Sequence, residues 1–89
     1  MIEQDLNTML DLILLKYPDE KFLKADGFDE AILGVEEKQM KLIYSVKSCI
    51  DILIREGLSD EDAIDHFYFN VHGAYVGEKT PIWCNDFTY

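Results

Sequence analysis

Two short runs rich in β-branched and aromatic residues stand directly in front of a helical stripe, and that junction constrains the fold more than anything else in the chain. The runs are Ala31-Ile32-Leu33-Gly34-Val35 and Lys41-Leu42-Ile43-Tyr44-Ser45, separated by a polar turn from Glu36 to Gln39. Immediately afterwards Val46, Cys49, Ile50, Leu53 and Ile54 recur on one helical face, and Gly57 follows as a stop. The pattern predicts a β-hairpin feeding straight into a helix from about Val46 to Glu56. The competing reading is one long helix from Asp29 to Arg55. Gly34 inside such a helix would cost about 1 kcal/mol relative to Ala, and Val, Ile and Tyr cluster where strands belong. The hairpin is the better reading.

The flanks complete a small α+β plan. Ile2, Leu6, Met9, Leu10, Ile13 and Tyr17 form one amphipathic stripe, so a first helix is expected from about Ile2 to Tyr17, stopped by Pro18. Leu12 and Leu15 lie off that stripe, Leu15 nearly opposite, so the helix is either wrapped by more chain or used in an oligomer interface, the second being the favoured reading. Residues 18–30 read as a connection with one short helical turn. Ser59 opens another helix, with Asp62 three residues on in a variant of the capping box. Its expected apolar side is Ala63, Ile64, Phe67, Tyr68 and Val71. After Gly73 and Gly77, Thr80 to Cys84 predict a last strand, which Pro81 confines to an edge or to pairing that begins beyond it. The expected architecture is therefore α+β in a single domain, 1–89. Its order is N-terminal helix, β-hairpin, two helices and a final β-strand, with the small sheet covered by helices.

Charge narrows the function. The chain holds 18 acidic against 8 basic residues, a net charge of -10 in 89 residues. Between Glu56 and Glu78 there are six acidic side chains and no Lys or Arg. Such a surface repels nucleic acid and membranes and attracts basic protein surfaces over a Debye length of about 8–10 Å. It serves solubility, or mimicry of a phosphate backbone. Asp60, Glu61 and Asp62 also have a structural reason to be acidic, because a helix dipole favours negative charge in the first turn. No basic leader precedes an apolar run, and Glu3 and Asp5 oppose a signal peptide, so the expected location is cytoplasmic.

No constellation announces a reaction. Asp62, His66 and Asn70 share a helical edge but supply one nitrogen ligand, a weak metal signal. Cys84 or Ser45 with His66 or His72 have no triad spacing, and no phosphate-binding glycine loop occurs. The expectation is no enzyme, no metal and no cofactor. Cys49 and Cys84 sit where inert buried thiols usually do, and their pairing is left open. The residues with evident binding character are Glu61, Asp62, Asp65, Phe69, His72, Tyr75 and Glu78. Phe69 is a large ring among carboxylates, the composition of a binding hot spot inside a charged rim.

The series Ala31-Ile32-Leu33-Gly34-Val35, Tyr44, Ser59-x-Glu61-x-Ala63 and Phe69-Asn70-x-x-Gly73-Ala74-Tyr75-x-Gly77-x-x-Thr80-Pro81 resembles a group of small uncharacterised proteins encoded by bacteriophages and prophages. The likeness covers roughly Phe28 to Trp83. It implies a small accessory protein of a bacterial cytoplasm and assigns no residue a role. With the acidic helix face, it leads to the expectation of a protein that binds a host protein with a basic surface, inhibiting or redirecting it. The alternative is a module that sequesters a nucleotide-like ligand at the Gly73 to Pro81 corner, with Tyr75 or Trp83 stacking on a base.

Overall fold

In a computed structural model, residues 8–74 and 77–86 are described. Helix α1 covers Met9–Lys16, followed by a 3-10 turn at Asp29–Ala31 and strands β1 (Ile32–Glu36) and β2 (Lys41–Ser45). Helices α2 (Val46–Arg55) and α3 (Asp60–His66) come next; α3 continues without a break into a π-helical segment, Phe67–His72, before β3 (Ile82–Cys84). This is the expected α+β order.

The hairpin forms where the β-branched residues lie. Tyr44 pairs with Ile32, Leu42 with Val35 and Lys41 with Glu36, with a bulge between Ile32 and Gly34. Gly34 marks that irregularity, a common use of glycine in a strand. The Glu36 carboxylate closes the turn by accepting the amides of Lys38 (3.1 Å) and Gln39 (2.8 Å). On its other edge β2 pairs with β3 in parallel, Ile43 against Ile82 and Ser45 against Cys84, giving the order β1-β2-β3. Pairing starts one residue after Pro81, and β3 lies at the edge, as a proline without an N–H requires.

The helices are capped as their sequences suggest. Ser45 and Ser59 accept the amides of Ser48 and Asp62. At the end of α2 the Leu58 amide returns to the Leu53 carbonyl (3.2 Å) and the Gly57 amide to Ile54 (2.9 Å). These are the two bonds of a Schellman motif, and Gly57 adopts the required positive φ of 118°. Helix α1 differs from expectation at its start. Thr8 is extended and accepts the Asp11 amide, so the helix begins at Met9 and not near Ile2; the part of that expectation covering Ile2 and Leu6 lies outside the described residues. Met9, read as part of the buried stripe, is exposed, while Leu10 and Ile13 are buried. A helix this short, lying against β1, has room to bury only one narrow line of side chains.

The core joins both layers. Leu42, Tyr44, Val46, Cys49, Ile50, Ala63 and Phe67 are essentially inaccessible. Trp83 ties β3 to this core through rings: its centroid is 5.2 Å from Tyr44 and 5.4 Å from Phe67, the latter edge-on. Tyr44 is buried to the hydroxyl, which accepts the Ala25 amide at 2.8 Å and so pins the loop before the 3-10 turn. Phe28, in the stretch read only as a polar connection, is buried in the same cluster.

Candidate functional site

The acidic residues of α3 stand on an outward face. Asp60, Glu61, Asp62 and Asp65 are all exposed, and none of them forms an ion pair among the described residues. The cations that do pair are engaged elsewhere: Lys16 with Glu37, Lys47 with Asp51, Arg55 with Glu30 and Lys79 with Glu20. Phe69 is 82% exposed, the most accessible of the exposed large apolar residues. Glu61, Asp65 and Phe69 recur every fourth residue. In an α-helix that spacing drifts by about 40° per step. From Phe67 the helix widens to i→i+5 turns, so Phe69 lies on the π-helical continuation of the helix that carries Glu61 and Asp65.

The remaining residues named from sequence are placed differently. Asp62 contributes its backbone amide to the Ser59 cap, and among the described residues its carboxylate makes no reciprocal bond, so the full capping box is not formed. His72 is exposed at one edge but packs its ring 5.1 Å from Tyr68 and 5.9 Å from Phe67, which joins it to the aromatic cluster. Glu78 lines a surface depression with Gln39, Lys41 and Lys79, next to two cations. Tyr75 lies outside the described residues.

Candidate chemistry also resolves into structure. His66 Nδ1 and Asn70 Nδ2 are 3.3 Å apart, the i,i+4 contact expected of that edge, and Asp62 takes no part. Among the described residues no three His, Cys, Asp or Glu side chains are grouped to hold a metal. The Ser45 hydroxyl donates to Asp86 Oδ2 at 2.5 Å while it accepts the Ser48 amide, so it is committed to the start of α2 and is not poised as a nucleophile. Cys49 and Cys84 are both free thiols. Burial pushes the Cys49 thiol up to about 12, leaving it protonated and unreactive at neutral pH.

A second feature was only half visible in the sequence. At the corner from Asn70 to Trp83 the described residues line a half-open cavity of about 240 Å3, walled by Phe28, Val71, Pro81 and Trp83. Its far wall comes from the 23–28 loop. The signal for that wall was Phe28, which with Phe22 and Leu23 interrupts an otherwise polar stretch. The Trp83 indole N–H is buried and takes no hydrogen bond among the described residues. An unsatisfied buried donor costs about 1–3 kcal/mol, so native structures rarely keep one without a reason.

No helix among the described residues is long and apolar enough to cross a membrane. Comparison with protein-family models, with curated protein sequences and with solved structures finds no match to the chain. What the fold and site define is therefore a structural class: a small α+β protein with a three-stranded mixed sheet and one acidic, aromatic-centred helical face.

Proposed function

We propose that this protein is a binding protein which docks on a basic surface of a host protein through the outer face of α3 and its π-helical continuation. The observation that carries this reading is Phe69, 82% exposed on the continuation of the helix whose Glu61 and Asp65 carboxylates have no ion-pair partner among the described residues. A large ring left in water beside fixed charge has no folding role. In an interface it becomes an apolar anchor inside a polar rim. The net charge of -10 supplies long-range attraction to a cationic partner and repels nucleic acid itself. The phage-type resemblance of the segment from Phe28 to Trp83 supports a bacterial host as the setting, and a nucleic-acid-processing or defence protein as the kind of partner that offers such a surface. The same reading places the protein in the host cytoplasm.

The test is affinity capture from bacterial lysate, run in parallel with the wild type and with Glu61→Lys/Asp65→Lys. A partner held by the wild type at low salt, released at high salt and missed by the double variant supports the reading. Identical captures by both proteins, or captures indifferent to salt, overturn it.

Leu12 and Leu15 carry a separate proposal, that two copies meet through α1. Both point away from the core, 47% and 65% exposed.

A further inference from the structure

The cavity beside Trp83 has the build of a small-molecule site. Its walls are apolar and half-buried or buried, among them Phe28, Val71, Pro81 and Trp83. Its polar lining residues, Lys24, Asp26 and Asn70, are exposed and therefore stand at the rim. An apolar interior with few polar groups at the mouth is the usual construction of a ligand pocket. At about 240 Å3 it has the volume of roughly eight waters at ~30 Å3 each, room for a flat ring system, and it is open at its mouth, where a sugar attached to that ring would lie.

Two further observations point to the same place. Asn70 and Val71 belong to the π-helical segment Phe67–His72. Such segments make up well under 1% of residues, and they occur frequently at functional sites. The opposite wall is held in place before any ligand arrives, because the Ala25 amide is fixed to the buried Tyr44 hydroxyl at 2.8 Å. Trp83, whose buried indole N–H has no partner among the described residues, also lines the cavity.

We propose that this cavity binds a nucleobase or nucleoside that carries no phosphate. A flat heterocycle fits between aromatic and apolar walls. Its ring N–H or amino group meets the Asp26 carboxylate as acceptor, and its carbonyl or ring nitrogen meets the donors of Lys24 and Asn70. A matched donor and acceptor set of this kind recognises a base edge, whereas a simple hydrocarbon would leave it unused. Phosphate is disfavoured by the net charge of -10, and the rim offers it no excess positive charge because Asp26 offsets Lys24. The cavity uses Asn70 and Val71 of the π-helical segment, and the docking face uses Glu61, Asp65 and Phe69, so separate substitutions let either proposal fail alone.

Trp83 is the sole tryptophan of the chain, so its emission reports on the cavity directly. The experiment titrates the whole protein with adenosine, guanosine, cytidine and uridine, and with the 5′-monophosphate of each. At least one nucleoside is expected to change Trp83 emission saturably, with half-saturation at or below about 100 µM. Its monophosphate is expected to bind about tenfold more weakly. Asp26→Ala and Asn70→Ala change exposed side chains and should each weaken binding about tenfold at unchanged melting temperature. Should either melt early, Ala74→Leu, at the exposed edge of the cavity, serves as the blocking variant. No saturable change up to about 1 mM overturns the proposal. So does a monophosphate that binds as tightly as its nucleoside, and so does wild-type affinity in folded variants.

Discussion

The Ser45 hydroxyl donates to the Asp86 carboxylate at 2.5 Å, joining residues 41 apart in the chain. The second oxygen of Asp86 accepts the Lys47 amide at 2.9 Å. The segment after β3 is thus fastened to the first turn of α2, where the helix dipole also favours a negative charge.

That contact makes stability depend on acidity. Burial alone would raise the Asp86 pKa, but the hydrogen bonds from the Ser45 hydroxyl and the Lys47 amide outweigh it and hold the group below its ordinary value. A carboxyl with a depressed folded-state pKa contributes stability that is fully present above its unfolded value, near ~3.9, and is lost as pH falls through the folded one. Asp86→Ala is expected to lower stability by about 0.5–1 kcal/mol at pH 7, the modest end of the range for a lost cap because the residue is exposed. As the pH falls through the folded-state value the variant and wild type should converge. Urea melts at pH 7 and along a descending acid series check this.

At the start of α3 the cap is Ser59 and not Asp62. Ser59→Ala should cost about 1 kcal/mol, since the Asp62 amide then loses its acceptor. Asp62→Ala, from which a cap loss was expected on sequence grounds, should stay within about 0.5 kcal/mol, since only the dipole interaction is removed. Chemical denaturation of the two single variants separates them.

The outer face of α3 should be largely separable from stability. Phe69→Ala removes a ring that touches little of the core, and Glu61→Lys with Asp65→Lys changes solvated charges. Phe69→Ala and Asp65→Lys should leave stability within about 0.5 kcal/mol, and Glu61→Lys should cost up to about 1 kcal/mol because it reverses a charge in the first turn of α3. Against the captured partner, Phe69→Ala is expected to speed dissociation, while the double charge reversal mainly slows association. Surface plasmon resonance at two salt concentrations distinguishes these effects. Variants that unfold would show the face to be part of the fold.

For α1, replacing Leu12 and Leu15 by Glu should leave the melting temperature nearly unchanged, because both side chains are exposed. Sedimentation velocity at tens of micromolar is expected to show the wild type as a dimer and the double variant as a monomer. A monomeric wild type removes α1 as an interface.

The parts of the fold that were legible in the chain are those governed by neighbours in sequence. Ile32, Val35, Ile43 and Tyr44 have side chains suited to strands, and Ser45, Ser59 and Gly57 bound helices through contacts only a few residues long. The parallel pairing of β3 with β2 was not legible, because it joins Tyr44 to Trp83 across two helices and no local pattern encodes direction at that range. The π-helical turn left no mark either. Phe67-Tyr68-Phe69-Asn70-Val71-His72 is an acceptable α-helical sequence, and the wider turn arises from how the segment packs. The site divides in the same way. The carboxylates and Phe69 could be read from composition and period, whereas the cavity is assembled from the 23–28 loop, the π-helical segment and β3, three pieces that meet only in three dimensions. Asp86 was missed because a lone carboxylate after a short strand gives no hint of the helix it will reach.

The parallel placement of β3 also sets an order of events. The β1–β2 hairpin closes a four-residue turn, whereas β3 reaches β2 only after two helices and their connections are in place, so its arrival bears the larger loop-closure entropy and belongs late in folding. Trp83 travels with that strand. A half-folded chain with the hairpin and α2 already formed has the sheet's first two strands but no cavity, since one of its walls has yet to dock. A ligand bound in the cavity would therefore act as a selective brace for the finished chain: it would slow the peeling of β3 and give no help to partly built states.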